Sequence, residues 1–415
     1  MYDHILVALD GSEPSRYAGR NAMTLAAALG ARITVCHVYG SDIHRRRFIE
    51  MEPGLPTKYQ DEEILSNLRG SHKKLMEEGF RALSIGYVED FVSSCHDAGI
   101  ETESIAVQGR SYVGILHLAR TRRADLIILG ADGLGAVGDG MLGGTTTRVL
   151  DAACCDVLVV RRAFEAGSVL VGVDGSQEAL KATEYAASVT RAMDKPLHIV
   201  AAYDPVFHTH VFGVMAKSLS SQRRDEVGLV DQEKLHDEII NEGLSKLYKK
   251  FLKEVEHHLG DCDVPLKSSL TTGKAYCALN SVANDCGADL IVIGRHGHHR
   301  QSCSRLGSTA EALIRTTSAN VLLVGSVEEN SSRPKQMCAI KEIDAGTRDV
   351  VWDSDAEERL QRVPSFVRNM ARRTVENRIR ELGKNCVNVR DFEAVAARFG
   401  MGSQKSTESH PEENT

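Results

Sequence analysis

Residues 294–309 read GRHGHHRQSCSRLGST: two residues separate Gly294 from Gly297, nine more lead to Gly307, and Ser308 and Thr309 follow at once. The apolar run DLIVI enters this stretch and STAEALIRTT leaves it, which reads as a strand, a glycine loop and the start of a helix. Glycines let backbone N–H groups approach phosphate oxygens, and a helix N-terminus adds unpaired donors and partial positive charge. Arg295, His296, His298, His299, Arg300 and Arg305 make the stretch basic. These spacings suit a bound triphosphate, although turns also use glycine for conformational reasons alone.

The pattern occurs twice. GADGLGAVGDGMLGGTT, from Gly130 to Thr146, follows DLIIL and carries Gly130, Gly133 and Gly143 at the same spacings, each 164 positions before its counterpart, as 130 is to 294. Outward from the loops the offset persists: Asp10-Gly11-Ser12 aligns with Asp174-Gly175-Ser176, Gly109 with Gly273, Asp125 with Asp289, and CDVLVV with ANVLLV. One fold is written twice.

Within the first copy HILVALD is a strand and Ser12 to Leu29 carries helical spacing. ARITVCHVY is a second strand, the segment with Arg45-Arg46-Arg47 and MEPGLP a loop, and the stretch from about Asp61 to His96 a long helix. ESIAVQG, the helix from Ser111 to Arg122, ADLIILG, a helix from about Gly143 and DVLVV complete an alternating order of five strands and four helices. Alternation implies a parallel sheet covered on both faces, with ligands at the carboxyl ends of its strands where the order reverses. Asp10 and Asp174 close the first strand of each copy, so aspartate and glycine loop are expected to meet. The carboxylate either accepts from ribose hydroxyls or holds magnesium, or else closes an Asx turn with Ser12 or Ser176.

A chain of 415 residues with 42% apolar content has room for two or three domains with cores of their own. A net charge of -7 argues against a general nucleic-acid surface, and no apolar run reaches membrane-spanning length. MYDHILVALDGS reads as a buried strand and not a targeting peptide, so the expectation is a soluble cytoplasmic protein. Ten cysteines without CxxC spacing or a zinc-type Cys/His grouping read as small hydrophobes in a reducing compartment; Cys303, amid basic residues, is the candidate for a lowered thiol pKa.

VALDGS and VGVDGS, the mid-domain G-R-S and G-K-A segments, and G-x2-G-x9-G-S/T before a terminal apolar strand resemble the universal stress protein family, as a tandem over residues 1 to about 326. The resemblance implies an adenine-nucleotide-binding α/β fold: two Rossmann-like doubly wound parallel sheets of order 3-2-1-4-5, paired through their last strands. That pair forms an internal pseudo-dimer or joins two chains as a homodimer. It implies ATP, with magnesium, at Asp174, Ala202, Gly294, Arg295, His296, Gly297, Gly307, Ser308 and Thr309, with Ala202 offering backbone groups to adenine. In the first copy Asp10, Val38, Gly130, Gly133, Gly143 and Thr145 fit, but Gly144 stands where the family usually has a hydroxyl residue, which Thr145 or Thr146 would replace. The first loop, Gly130 to Gly144, has no Lys or Arg and carries Asp132 and Asp139, so the second copy is ranked as the main ATP site.

The expected divisions are 1–163 and 164–327 for the two copies, a linker over 328–351, a small all-α domain over 352–400 and a disordered tail over 401–415. In the small domain DAEERLQR is helical, Pro364 starts a helix with the stripe Val367, Met370, Ala371, Thr374, Ile379 and Leu382 stopped by Gly383, and Asn388 caps a third helix with Phe392, Val395, Ala396 and Phe399 inward. Arg368, Arg372, Arg373, Arg378 and Arg380 form either an anion-binding face or a solvated one. From Trp352 to Gly400 the string resembles the C-terminal part of the B subunit of light-independent protochlorophyllide reductase, in Trp352, the Leu360-x-x-Val363-Pro364 step, Phe366-Val367-Arg368, Arg373 and Glu376. The chain lacks that enzyme's cluster cysteines, so the segment is taken as a borrowed binding or docking module, for a protein partner or a ligand, and not as a sign of reductase activity.

The functional expectation is an ATP-binding stress or regulatory nucleotide sensor. A slow ATPase, with His296 orienting a water, and an adaptor whose C-terminal module binds a tetrapyrrole or reductase-like partner are the alternatives; no catalytic residue is assigned, and neither SGGxDS nor GxxxxGK[ST] occurs.

Overall fold

In the computed structural model the described residues are 2–134, 141–260, 265–298, 306–325 and 351–396, except 230, 232, 233, 236, 237, 362, 364–367, 369, 370, 373, 374, 377, 380, 381, 383 and 385. Outside them fall Asp139, His299, Arg300, Cys303, Arg305, the expected linker up to residue 350, Pro364, Val367, Met370, Arg373, Thr374, Arg380, Gly383, Phe399 and the expected tail. The chain divides into two units, Met1–Ile340 and Lys341–Thr415.

The first unit is built on one ten-stranded sheet. Its strands are β1 (His4–Ala8), β2 (Arg32–Tyr39), β3 (Thr102–Gln108), β4 (Leu126–Gly130), β5 (Asp156–Val160), β6 (Ser168–Val173), β7 (Leu197–Tyr203), β8 (Leu266–Thr272), β9 (Ala288–Gly294) and β10 (Asn320–Val324). Their order is β3-β2-β1-β4-β5-β10-β9-β6-β7-β8, the expected 3-2-1-4-5 in each half. All neighbours are parallel except β5 and β10, which pair antiparallel with Leu158 opposite Leu322 and so join the halves. The six central strands, from β1 to β6 in sheet order, read as near-continuous apolar runs because helices cover both faces, and Ile5, Leu158, Leu170 and Leu322 are buried.

The repeat offset holds for three helices to the residue: Glu13–Leu29 and Gln177–Met193, Ser111–Thr121 and Ala275–Asp285, Gly144–Ala152 and Ser308–Thr316. Ser12 and Ser176 cap the first pair, accepting from Ser15 N at 3.3 Å and Ala179 N at 3.1 Å. The repeated Asp125 and Asp289 lie away from the carboxyl ends of the strands. They hold the start of each first strand, accepting from His4 N at 2.9 Å and from Gly167 N at 2.9 Å.

The halves diverge between their second and third strands. The expected loop around Arg45–Arg47 is instead a helix, Ser41–Met51, packed on the 36-residue helix Glu62–Asp97. The correction has a local cause: Pro53 breaks the chain only after Met51, and Arg69 on the long helix grips Glu52 with Nε and Nη2 at 2.7 Å each. Asp61 caps the long helix, accepting from Glu63 N at 3.0 Å. The second half has Pro205–Ser218, Ser221–Glu226 and Leu244–Leu259 there.

In the second unit, helices Ser354–Gln361 and Val389–Ala396 pack around Ala356, Leu360, Val375, Ile379, Val387 and Phe392. Asn388 caps the latter helix, accepting from Asp391 N at 3.0 Å. The expectation of a purely helical unit is amended by two short parallel strands, Val351–Trp352 and Cys386–Val387. Two of the five arginines expected as an open face are used internally: Arg368 donates to Gln361 Oε1 at 2.8 Å and Val363 O at 3.1 Å, and Arg372 pairs with Glu357 and lies 5.0 Å from the Trp352 ring centroid.

Candidate functional site

The carboxyl ends of β6, β7 and β9 meet where the strand order reverses, and the loop after β9 folds across the end of β6. Asp174 joins the two. Its Oδ1 accepts from Ser176 N at 3.0 Å, the Asx turn, and its Oδ2 accepts from His298 N at 2.8 Å, so aspartate and glycine loop meet. Asp10 closes the same turn, accepting from Ser12 N at 3.0 Å.

The loop glycines are required by the loop's own packing. A Cβ on Gly297 would stand 2.5 Å from Asp174 Oδ2, and one on Gly133 would stand 2.5 Å from Asp10 Oδ2. At Gly294 it would meet Glu178 Cβ at 2.9 Å, and at Gly130 Pro14 Cβ at 2.9 Å. At Gly307 it would meet Arg295 O at 3.1 Å and lie 3.6 Å from Gly297 N, so the ends of the motif converge; at Gly143 it would meet Asp132 Cα at 3.2 Å. Gly143 and Gly307 are extended N-caps and, as glycines, supply no side-chain cap to the first-turn N–H groups of the two nine-residue helices. Gly11 and Gly175, with φ of +81° and +82°, press against the rings of Tyr87 and Phe251, another pair at the 164 offset that the sequence reading missed.

Val38 and Ala202 are the last residues but one of β2 and β7. Leu9 N donates to Cys36 O at 2.9 Å, and backbone groups two residues on face the same neighbour, so Val38 points its N–H and C=O past the last residue of β1, Ala8. Ala202 holds the same place beyond β6, where Val173 pairs with Ala201.

Three side-chain expectations are corrected. Arg295 is fully buried and donates through Nε to Gly325 O at 2.8 Å and through Nη1 to Leu150 O, while burial pushes its pKa down. Its charge therefore faces the seam between the repeats and away from the loop. His296 is buried at 5% exposure against Glu178, with Nδ1 3.5 Å from Oε1 and its backbone N 2.6 Å from Oε2, so its ring supplies no exposed phosphate contact. Thr146 cannot replace the hydroxyl absent at Gly144, since it is buried and donates to Gly130 O at 2.8 Å. Thr145 is half-buried; Ser308 is exposed and Thr309 half-buried at the second helix.

One cation escaped the count made on the loop alone. Arg148 folds back to donate to Gly144 O at 2.9 Å and lies 5.5 Å from the Tyr112 ring centroid, putting a guanidinium at the first turn of the first repeat's helix. Its place four residues after Gly144 was the available sign, because i and i+4 share a helix face. Among the described residues no cluster of His, Cys, Asp and Glu could hold a metal, and no helix is long and apolar enough to cross a membrane.

With that geometry in place, the model of the Universal stress protein family matches residues 1–161 and again 166–325, and that of the Proto-chlorophyllide reductase 57 kD subunit matches residues 352–395. A universal stress protein of Thermus aquaticus is 31% identical over 161 residues, 39% of this chain and 100% of its own length. Universal stress protein Slr1230 of Synechocystis is 26% identical over 326 residues, 77% of this chain and 98% of its own. The crystal structure of a functionally unknown protein, PA1789 of Pseudomonas aeruginosa, covers 78% of this chain and 93% of its own at a TM-score of 0.51 and 16% identity, a likeness of fold alone. The two matched stretches, the strand order and the doubled loop agree: the chain belongs to the universal stress protein family, as two such domains in tandem followed by a segment similar to the Proto-chlorophyllide reductase 57 kD subunit.

Proposed function

We propose that the protein binds an adenine nucleotide, ATP in the first instance, in the crevice of the second repeat, and acts as a nucleotide-dependent regulator and not as an enzyme. The observation that carries the reading is the start of the Ser308–Thr316 helix at Gly307, an N-cap with no side chain of its own that lies close to Gly297. Helix N-terminal N–H groups and the Ser308 and Thr309 hydroxyls are donors of the kind phosphate oxygens accept. The end of β7 at Ala202 offers backbone groups to a base, and Asp174 keeps carboxylate lone pairs for ribose hydroxyls or a nucleotide-borne magnesium ion.

The preference for the second repeat rests on Ser308 and Thr309 against Gly144, and on Asp132 standing in the first repeat where the second has His296. Arg148 offsets part of that difference, which makes the first crevice a weaker site and not an inert one. His296 is not placed to activate water, since it is buried against Glu178. The C-terminal segment is proposed as a docking module for a protein partner.

Calorimetric titration of the full chain with ATP, with and without magnesium and after removal of carried-over nucleotide, tests the reading. Saturable binding is expected, with AMP and adenosine weaker because the phosphate donors go unused. Absence of saturable binding to ATP overturns it.

A further inference from the structure

Of the arginines that cross the seam between the repeats, Arg162 reaches Ala288 O at 2.8 Å, and two others grip helix ends. Arg295 lies inside the second glycine loop, where its carbonyl accepts from Gly307 N at 2.9 Å. Its guanidinium reaches Leu150 O in the last turn of the Gly144–Ala152 helix of the first repeat, and Gly325 O beyond β10. Arg161, just past β5, donates from Nη2 to Ile314 O at 2.6 Å. Ile314 is the counterpart of Leu150 at the 164 offset, so each helix that opens at a glycine loop is gripped at its far end by an arginine rooted in the other repeat.

The two arginines do not occupy equivalent positions. The counterpart of Arg295 is Ala131 and that of Arg161 is Gly325, so neither grip is a copy of the other. The side-chain acceptors across the seam are, by contrast, equivalent: Asp156 Oδ1 accepts from Gly325 N at 2.8 Å, and Asn320 Oδ1 from Arg161 N at 2.8 Å. Arg295 is also sealed from water, so its hydrogen bonds cannot be exchanged for solvent ones when the loop shifts. A nine-residue helix is a short stiff rod of about 13 Å, and displacement at Leu150 is passed to Gly144.

We propose that Arg295 is a positioning residue that couples the two crevices, so that nucleotide in the second repeat changes the affinity of the first, with Arg161 carrying the return link. The proposal rests on the nucleotide-binding reading above. Linkage makes the effect reciprocal for equilibrium affinities. A side chain that merely capped a helix would leave the two affinities independent.

The test is calorimetric titration of the full-length protein with magnesium and ATP, as wild type, Ser308→Asp and Gly144→Asp, each with and without Arg295→Lys, which keeps the charge but not the two-pronged reach. First-crevice affinity should differ about fivefold or more between wild type and Ser308→Asp, and Arg295→Lys should bring the two values together. If Arg295→Lys lowers the melting temperature so far that it is not fully folded, Arg161→Lys takes its place and should also reduce the difference. Equal first-crevice affinities in wild type and Ser308→Asp overturn the coupling and leave nucleotide binding standing, as does a single binding step that Ser308→Asp abolishes. A difference that survives both lysine variants overturns the role of the arginines. No saturable binding in wild type overturns the nucleotide reading and the coupling together.

Discussion

The two repeats share five strands, three helices and a loop whose glycines meet the same neighbours, yet their crevices carry different side chains. Where the second repeat has Glu178, His296 and Ser308, the first has Pro14, Asp132 and Gly144, and the first folds an arginine, Arg148, back onto its helix start, where the second has Ala312. The positions that agree are those the backbone needs, such as Gly133 and Gly297 against their aspartates. Of those that differ, Gly144 and Ser308 open the helices, while Glu178 and His296 pack against each other. The motif spacing therefore reports how the loop packs, and the proposed preference for the second crevice rests on residues between the glycines and just after them.

The largest effect expected from breaking this parallel is at the seam. Arg295→Met strips donors from Leu150 O and Gly325 O and should cost about 2–4 kcal/mol of unfolding free energy, whereas Arg161→Met deprives Ile314 O alone of its side-chain donor and should cost less. Denaturant unfolding of the two variants checks the order. Equal losses would mean that burial of Arg295 adds nothing to its worth.

Next come the loop glycines. Gly297→Ala and Gly133→Ala each place a methyl 2.5 Å from an aspartate oxygen, and each should cost about 1–3 kcal/mol by overpacking. Similar losses in the same unfolding assay support a shared packing role. A loss confined to one repeat would show that the loops are not built alike.

Asp156 and Asn320 sharpen the contrast further. Burial pushes the Asp156 pKa up, with Gly325 N, Tyr2 and Arg295 opposing, while Asn320 in the equivalent place does not titrate. A raised folded pKa means the native state holds the proton more tightly than the unfolded chain, whose value is about 3.9. The Asp156 contribution to stability is therefore complete below that value and falls as pH rises through the folded pKa. Asp156→Asn should flatten this part of the stability curve in denaturant titrations from acid to neutral pH. An unchanged slope would contradict it. The smallest effect is expected far from the loops: removal of residues 341–415, a separate unit, should leave ATP affinity by calorimetry unchanged.

Much of the architecture was legible because it is local and written twice. Apolar runs such as DLIIL and DVLVV gave strands, Ser12 and Ser176 gave helix starts, and the constant offset gave the repeat. Arg45–Arg47 misled because three charges before MEPGLP look like a loop, while the Glu52 and Arg69 pair that anchors the end of that helix joins residues remote in sequence. Arg295 and His296 misled for a stronger reason. A basic run beside glycine suggests a solvated loop, and nothing in that run tells of Leu150 waiting across the seam, of Gly325 beyond β10 or of Glu178 one helix away. Arg148 was within reach of helical periodicity, and the matching rings of Tyr87 and Phe251 within reach of the offset.

The most direct measurement is ATP binding by Ser308→Asp beside Gly144→Asp, each placing a carboxylate at the first helical position, where acids favour the helix and repel phosphate. Ser308→Asp is expected to weaken the tightest binding step by about tenfold or more, the 1.4 kcal/mol that one close like charge readily exceeds. Gly144→Asp should leave that step in place. If Gly144→Asp removes it and Ser308→Asp spares it, the main site lies in the first repeat and the account given of the two crevices is wrong.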